Sequence, residues 1–287
     1  MKRIIVCALL LVAAATMLAG GKVLRDLEYA QVDGISLRLD LYLPDRPSGE
    51  SLPVVVWIHG GGWRAGSKER TIAPRVLGDE YVVASIDYRL SQQAVFPAQI
   101  HDCKAAVRWL RAHAGIYRID PDRIGVWGSS AGGHLVALLG TSTGVAELEG
   151  AVGEHLDQSS AVQAVCDFYG PTDLTVMIGQ TSAIDHGGAD SPEGLLLGGP
   201  VAEHPELAAL ASPVTHVDSS DPPFLIVHGD ADRTVPYEQS VALHQALAAA
   251  GVDATLHIVG RAGHGGFPPE VNLLVVAFFD RVLAEET

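Results

Sequence analysis

At 287 residues, 48% of them hydrophobic and 18% charged, the chain carries enough apolar material for one sizeable core and does not have a disordered composition. A formal net charge of −15 argues against nucleic acid or an anionic membrane as a partner. There is no C-x-x-C and no His or Cys cluster at ligand spacing, so neither a metal nor a cofactor is expected.

Lys2 and Arg3 precede an apolar run from Ile4 to Leu18, followed by Ala19, Gly20 and Gly21. This pattern predicts a signal peptide over 1–21 and a secreted or periplasmic protein. Removing Lys2 and Arg3 with it would take the charge to −17. The run is shorter than the roughly 20 apolar residues of a spanning helix, so no stable membrane insertion is expected once the leader is cleaved. Residues 22–287 are then expected to form one domain.

Asp33-Gly34 is a turn signal, and Ile35, Leu37, Leu39, Leu41 and Leu43 alternate after it, which predicts an opening antiparallel hairpin. Continuous apolar runs follow at 54–58, 81–86, 124–127, 162–168, 224–227 and 255–259. Each reads as a strand buried on both faces. Helical patterns lie between them. The clearest has Ile100, Cys103, Val107, Leu110 and Ala114 on one face, with Lys104, Arg108 and Arg111 off it; 237–250 and 270–283 give two more. Alternation of this kind predicts an α/β fold, a mostly parallel twisted sheet with helices on both faces and a site at the carboxyl ends of the strands. Only 171–213 breaks the rhythm, rich in Gly, Pro, Asp and Ser, and it reads as a short cap-like insertion over the site. With the leader removed, Cys103 and Cys166 remain, both in apolar runs; buried free thiols are expected, a single disulfide being the alternative.

Gly128-Ser129-Ser130-Ala131-Gly132 stands between a strand and a helix pattern, the setting of a nucleophile elbow. The turn is so tight that side chains two before and two after Ser130 would strike neighbouring backbone. His59-Gly60-Gly61-Gly62-Trp63 follows the strand at 54–58, and its glycines leave N–H groups free to hold an oxyanion together with the N–H of Ala131. A serine hydroxyl needs an imidazole to take its proton, and the imidazole needs a carboxylate to fix its tautomer. Both partners are expected later in the chain, on loops after strands. His264 fits the base, since His257 lies inside a strand pattern and His228 at a strand end. For the acid, position alone does not separate Asp230 from Asp232. His59 and His134 read as packing or hydrogen-bonding residues. Trp63 and Phe267 read either as pocket-lining or as core, with Trp63 kept as a candidate substrate contact.

The chain resembles the hormone-sensitive-lipase-like esterases of the α/β-hydrolase fold, and more closely the bacterial bifunctional feruloyl and acetyl-xylan esterase group. The resemblance lies in the His59 to Trp63 run, Asp87-Tyr88-Arg89-Leu90, Asp120-Pro121-Asp122-Arg123-Ile124, the Ser130 elbow with Gly133-His134, Tyr169-Gly170-Pro171-Thr172-Asp173, the His228 to Pro236 run, and Gly263-His264-Gly265. It implies Ser130, Asp232 and His264 as the triad, with oxyanion donors at Gly61, Gly62 and Ala131. It also implies hydrolysis of short-chain or aryl carboxylic esters, either small molecules or acetyl and feruloyl groups on plant polysaccharide. Two other readings share these motifs. One is a serine peptidase of the prolyl-oligopeptidase type, which usually carries a large additional domain; the other is a non-catalytic binding protein that keeps the fold, against which the intact triad argues. An imidazole base also predicts that activity falls below about pH 6.5, the reference histidine value.

Overall fold

The computed structural model describes residues 16–18, 21–45, 47 and 49–283. The leader expected over 1–21 lies largely outside the described residues.

Nine strands form one sheet: β1 (Thr16–Leu18), β2 (Gly21–Val32), β3 (Ile35–Pro44), β4 (Leu52–Ile58), β5 (Val82–Ile86), β6 (Ile119–Ser129), β7 (Ala164–Phe168), β8 (Phe224–Gly229) and β9 (Ala254–Val259). Their order is β1-β2-β3-β5-β4-β6-β7-β8-β9. The first three are antiparallel additions, and β5 through β9 run parallel. The hairpin between β2 and β3 turns at Asp33 and Gly34, at φ 50° and 80°. Two consecutive positive φ values match the right-handed twist of the flanking strands.

Among the described residues there are ten α-helices: α1 (Ala73–Leu77), α2 (Ala98–Ala112), α3 (Ala114–Tyr117), α4 (Ala131–Thr141), α5 (Ala146–Glu149), α6 (Leu174–Met177), α7 (Pro192–Leu197), α8 (Pro205–Leu210), α9 (Glu238–Ala250) and α10 (Glu270–Val282). Buried side chains of α2, α4, α7, α8 and α9 fill a core on one face of the sheet with Val54, Val56, Ile124 and Val126. On the other face, α1 and α10 pack on Val55, Trp57, Trp127 and Leu225. Successive residues of β4 and β6 point to opposite faces and both faces are covered, which is why these strands read as unbroken apolar runs. Among the described residues no helix is long and apolar enough to cross a membrane.

One expectation needs correction, and two features go beyond the sequence reading. Strand β9 is not buried on both faces: it pairs only with β8 and stands at the sheet edge, with its residues partly or fully exposed. Lys104 and Arg108, off the apolar face of α2, are nonetheless buried, at 0% and 3% exposed. Lys104 Nζ donates to Glu149 Oε1 and to the Ser142 carbonyl, both at 2.7 Å, and Arg108 reaches the same carboxylate at 3.5 Å. The segment 171–213 contains three short helices, α6 to α8. Cys103 and Cys166 are free and buried; they belong to the cores on opposite faces of the sheet, which keeps them from pairing.

Candidate active site

From β4 the chain moves to β5 on one side, then crosses back to form β6 on the other. The carboxyl ends of β4 and β6, paired at Ile58 and Gly128, therefore flank the point where the strand order reverses, where α/β sheets open a crevice. Both glycine-rich motifs lie there.

Ser130 joins β6 to α4 at φ 56°, ψ −122°, a backbone conformation costly for any residue but glycine. Its neighbours explain how the turn is held. A Cβ on Gly128 would stand 2.3 Å from the Gly132 carbonyl oxygen, and one on Gly132 would stand 2.1 Å from that of Ile58. The Ser130 N–H donates to the Phe168 carbonyl at 2.8 Å, anchoring the turn to β7.

His264 follows β9 and Asp232 follows β8, and both meet Ser130. His264 Nε2 lies 2.9 Å from Ser130 Oγ, and Nδ1 lies 2.7 Å from Asp232 Oδ2. With the Nδ1 proton donated to the carboxylate, Nε2 is free to accept the serine O–H. The Asp232 side chain is fully buried, whereas His264 is 25% exposed. Burial alone would push the Asp232 carboxyl up, but the His228 and His264 imidazoles and the Thr234 N–H hold it well below the usual carboxylate range. The rival Asp230 is turned away, accepting the Arg261 N–H.

Gly61 and Gly62 sit at φ 118° and 58° in a loop closed by N–H donation from Arg64 and Ala65 to the Gly61 carbonyl. Among the described residues, the N–H groups of Gly61, Gly62 and Ala131 donate to no protein acceptor. That of Ala131 opens α4, where the first turn of a helix leaves its donors free. All three residues border the cleft that contains Ser130 and His264, a space of about 460 Å³, within the usual range for a small-ligand site.

Trp63, a candidate substrate contact, borders this cleft but is only 1% exposed, its indole N–H donating to His134 Nδ1 at 3.2 Å. The ring is bound into the core and offers little surface to a ligand. Phe267 packs against Phe168 and Tyr169. His59 stacks on Tyr88 and its ring bonds the Gly60 carbonyl, while His134, fully buried, bonds the Ala211 carbonyl at 2.6 Å. Burial pushes the His134 imidazole down to about 4, so it is neutral.

Four neighbours of the site escaped sequence reasoning. Tyr169, at φ 45°, places its ring 4.6 Å from His264. His228 Nε2 approaches the same Asp232 oxygen as His264, Oδ2, at 3.2 Å. His186 and Glu193, both on the 171–213 segment, border the cleft with Nδ1 and Oε2 3.0 Å apart, though not aligned as a hydrogen bond. Burial lowers the His186 pKa, but the Glu193 carboxylate outweighs it and raises the net value. Tyr169 and His228 stood inside quoted motifs, where neither was given a place beside the triad. His186 and Glu193 are revealed only by the return of a distant loop.

The family model BD-FAE matches residues 39–247, a stretch that includes Ser130 and Asp232. Esterase LipQ of Mycobacterium tuberculosis is 34% identical over 211 residues, covering 72% of this chain and 48% of its own. The chain spans about half the length of the curated relatives it matches. A truncated carbohydrate esterase from gut microbiota superposes with a TM-score of 0.85 at 34% identity, covering 93% of this chain and 98% of that one. A bifunctional GH43-CE protein of Bacteroides eggerthii gives 0.83 at 37%, over 91% of this chain and 35% of its own. With the crossover at β4 and β6, the glycine loops and the elbow described above, the chain belongs to the BD-FAE family and has the α/β-hydrolase fold.

Proposed function

We propose that the chain is a serine carboxylesterase. The observation that carries this reading is the unbroken relay from Ser130 Oγ through His264 to the buried Asp232, at 2.9 and 2.7 Å. In the first half-reaction His264 Nε2 takes the Ser130 proton as Oγ attacks the ester carbonyl carbon. The developing oxyanion is held by the N–H groups of Gly61, Gly62 and Ala131. The C–O bond to the alcohol then breaks, and His264 returns the proton to the departing oxygen. Water repeats the sequence on the acyl-enzyme and frees the acid. Asp232 stays ionised throughout and balances the imidazolium.

For the substrate, we propose short-chain or aryl esters, including acetyl or feruloyl groups on plant polysaccharide. Support comes from the carbohydrate esterase and the bifunctional GH43-CE protein among the structural neighbours and from a cleft of small-ligand size. We also propose export, on the leader pattern at 1–21, and N-terminal sequencing of the mature protein tests it.

A hydrolysis panel of acetyl, butyryl, octanoyl and feruloyl aryl esters, beside acetylated xylan and an aminoacyl-proline amide, tests both parts. Turnover of the acetyl and aryl esters with the amide untouched supports the esterase reading. Amide cleavage comparable with ester turnover would favour a peptidase, and no turnover of any ester would sink the proposal.

A further inference from the structure

The Asp232 carboxylate is in contact with a second imidazole besides that of His264. His228 ends β8 and is completely buried. Its Nε2 lies 3.0 Å from the Val235 carbonyl oxygen and 3.2 Å from Asp232 Oδ2, and its Nδ1 lies 2.7 Å from Ser240 Oγ on α9. A carbonyl oxygen can only accept, so Nε2 carries the proton and donates it to Val235, while Asp232 Oδ2, 3.2 Å away, is held beside the same N–H by electrostatic contact. Nδ1 is then bare and accepts the Ser240 O–H. Asp232 Oδ2 is thus held between His264 and His228, while Oδ1 accepts the N–H groups of Thr234 and Val235 at 2.8 and 3.1 Å. A buried carboxylate gripped on both oxygens cannot rotate away from the base.

We infer that His228 is a positioning residue for the reaction: its Nε2–H, fixed in that tautomer by the Val235 carbonyl and supported at Nδ1 by Ser240, orients Asp232 and tempers the pull of the carboxylate on the His264 proton. Each donor to a carboxylate lowers its basicity and weakens its hold on an adjacent imidazolium. A histidine that merely filled space would need neither this tautomer nor this contact. Besides Asp232, the groups facing His228 are Ser240 on α9, the Tyr169 ring 6.3 Å away, and Asp167 on β7, which interacts with it electrostatically.

The inference rests on the esterase reading, and the experiment separates the two. The pH dependence of kcat/KM for phenyl acetate is measured for the wild type, His228→Leu, His228→Gln and Ser240→Ala, with folding followed by thermal melting. Loss of the donor in His228→Leu should lower kcat by ~10- to 100-fold with little change in KM, and move the acid limb up by about half a pH unit or more. Glutamine keeps a donor and an acceptor, and should recover most of kcat and return the limb towards that of the wild type. Ser240→Ala should shift the limb in the same direction as leucine, by less; it decides the matter if the leucine variant does not fold. Superimposable acid limbs in the leucine and alanine variants, or a glutamine variant as impaired as the leucine one, would overturn the inference while wild-type turnover left the esterase reading standing. Absence of wild-type turnover would overturn both.

Discussion

Ser130 is chemically ordinary until His264 takes its proton, and that dependence sets the sharpest single-residue outcomes. Ser130→Ala should lower kcat by about 10⁴-fold or more, and Asp232→Asn by somewhat less, both read in steady-state kinetics. Harmless Asp232→Asn together with damaging Asp230→Asn would contradict the Asp232 contact. The pH dependence has a definite sign. His264 must be neutral to act, so activity falls in acid as the imidazole takes up a proton. Asp232, held far below the usual carboxylate range, is still ionised there and contributes nothing to that limb. A profile of kcat/KM that stayed flat down to pH 4 would contradict a histidine base. The serine and the base could be picked from the chain because each stands between glycines on a loop after an apolar run. The acid could not be separated from Asp230 by position, since both lie in one turn; the resemblance pointed to Asp232, and it is Asp232 whose Oδ2 meets His264. His228 was set aside at a strand end, because nothing along the chain shows the 230–236 loop curling back over it.

At the scale of elements, the elbow is a packing problem between α4 and the ends of β4 and β6. Gly132→Ala would drive a methyl to 2.1 Å from the Ile58 carbonyl oxygen, against rigid backbone. Overpacking of this kind costs about 3 kcal/mol, worth roughly 6 °C in Tm for a domain of this size. Gly115→Ala in α3 meets open space and should leave Tm unchanged or slightly raised. Equal melting of the two variants would contradict the description of the elbow. A second element-level outcome concerns α2 and α5. Glu149→Gln strips the buried Lys104 ammonium of its carboxylate partner. Removing one member of a buried pair costs 3–5 kcal/mol, and the partial exposure of Glu149 discounts this to about 2 kcal/mol, measurable by denaturant unfolding. The periodicity of α2 was plain in the chain, yet its charged side could not be recognised as buried, because the α5 segment that covers it has only four residues and no period of its own. For the same reason α6, α7 and α8, of four to six residues each, read as loop. The edge position of β9 was equally hidden, since a run of apolar residues records side-chain type and not the number of neighbouring strands.

For the whole molecule, one sheet supplies everything the site needs. Adjacent strands β4 and β6 deliver the oxyanion loop and the nucleophile, and β8 and β9 bring the acid and the base to the same rim. That arrangement was readable in advance because each motif follows an apolar run and strand ends gather at one side of a parallel sheet. The interior also stores a pH dependence. Asp167 is fully buried on β7, with Oδ1 accepting the Gly170 N–H and Oδ2 unpartnered within the described residues. Burial pushes its carboxyl up to about 6. A raised acid favours the folded state below its unfolded pKa, and the advantage is lost as pH rises through about 6. Asp167→Asn should therefore raise Tm relative to the wild type more at pH 7.5 than at pH 4.5. A difference in Tm that did not change with pH would contradict a protonatable buried Asp167. The central claim, a covalent acyl-enzyme on Ser130, is tested most directly by mass spectrometry of the protein after treatment with a fluorophosphonate and after rapid acid quench during phenyl acetate turnover. The account predicts one adduct per chain in each case, on the peptide bearing Ser130 and absent from Ser130→Ala. Sustained ester hydrolysis with that peptide unmodified, or with the adduct on another residue, would contradict it.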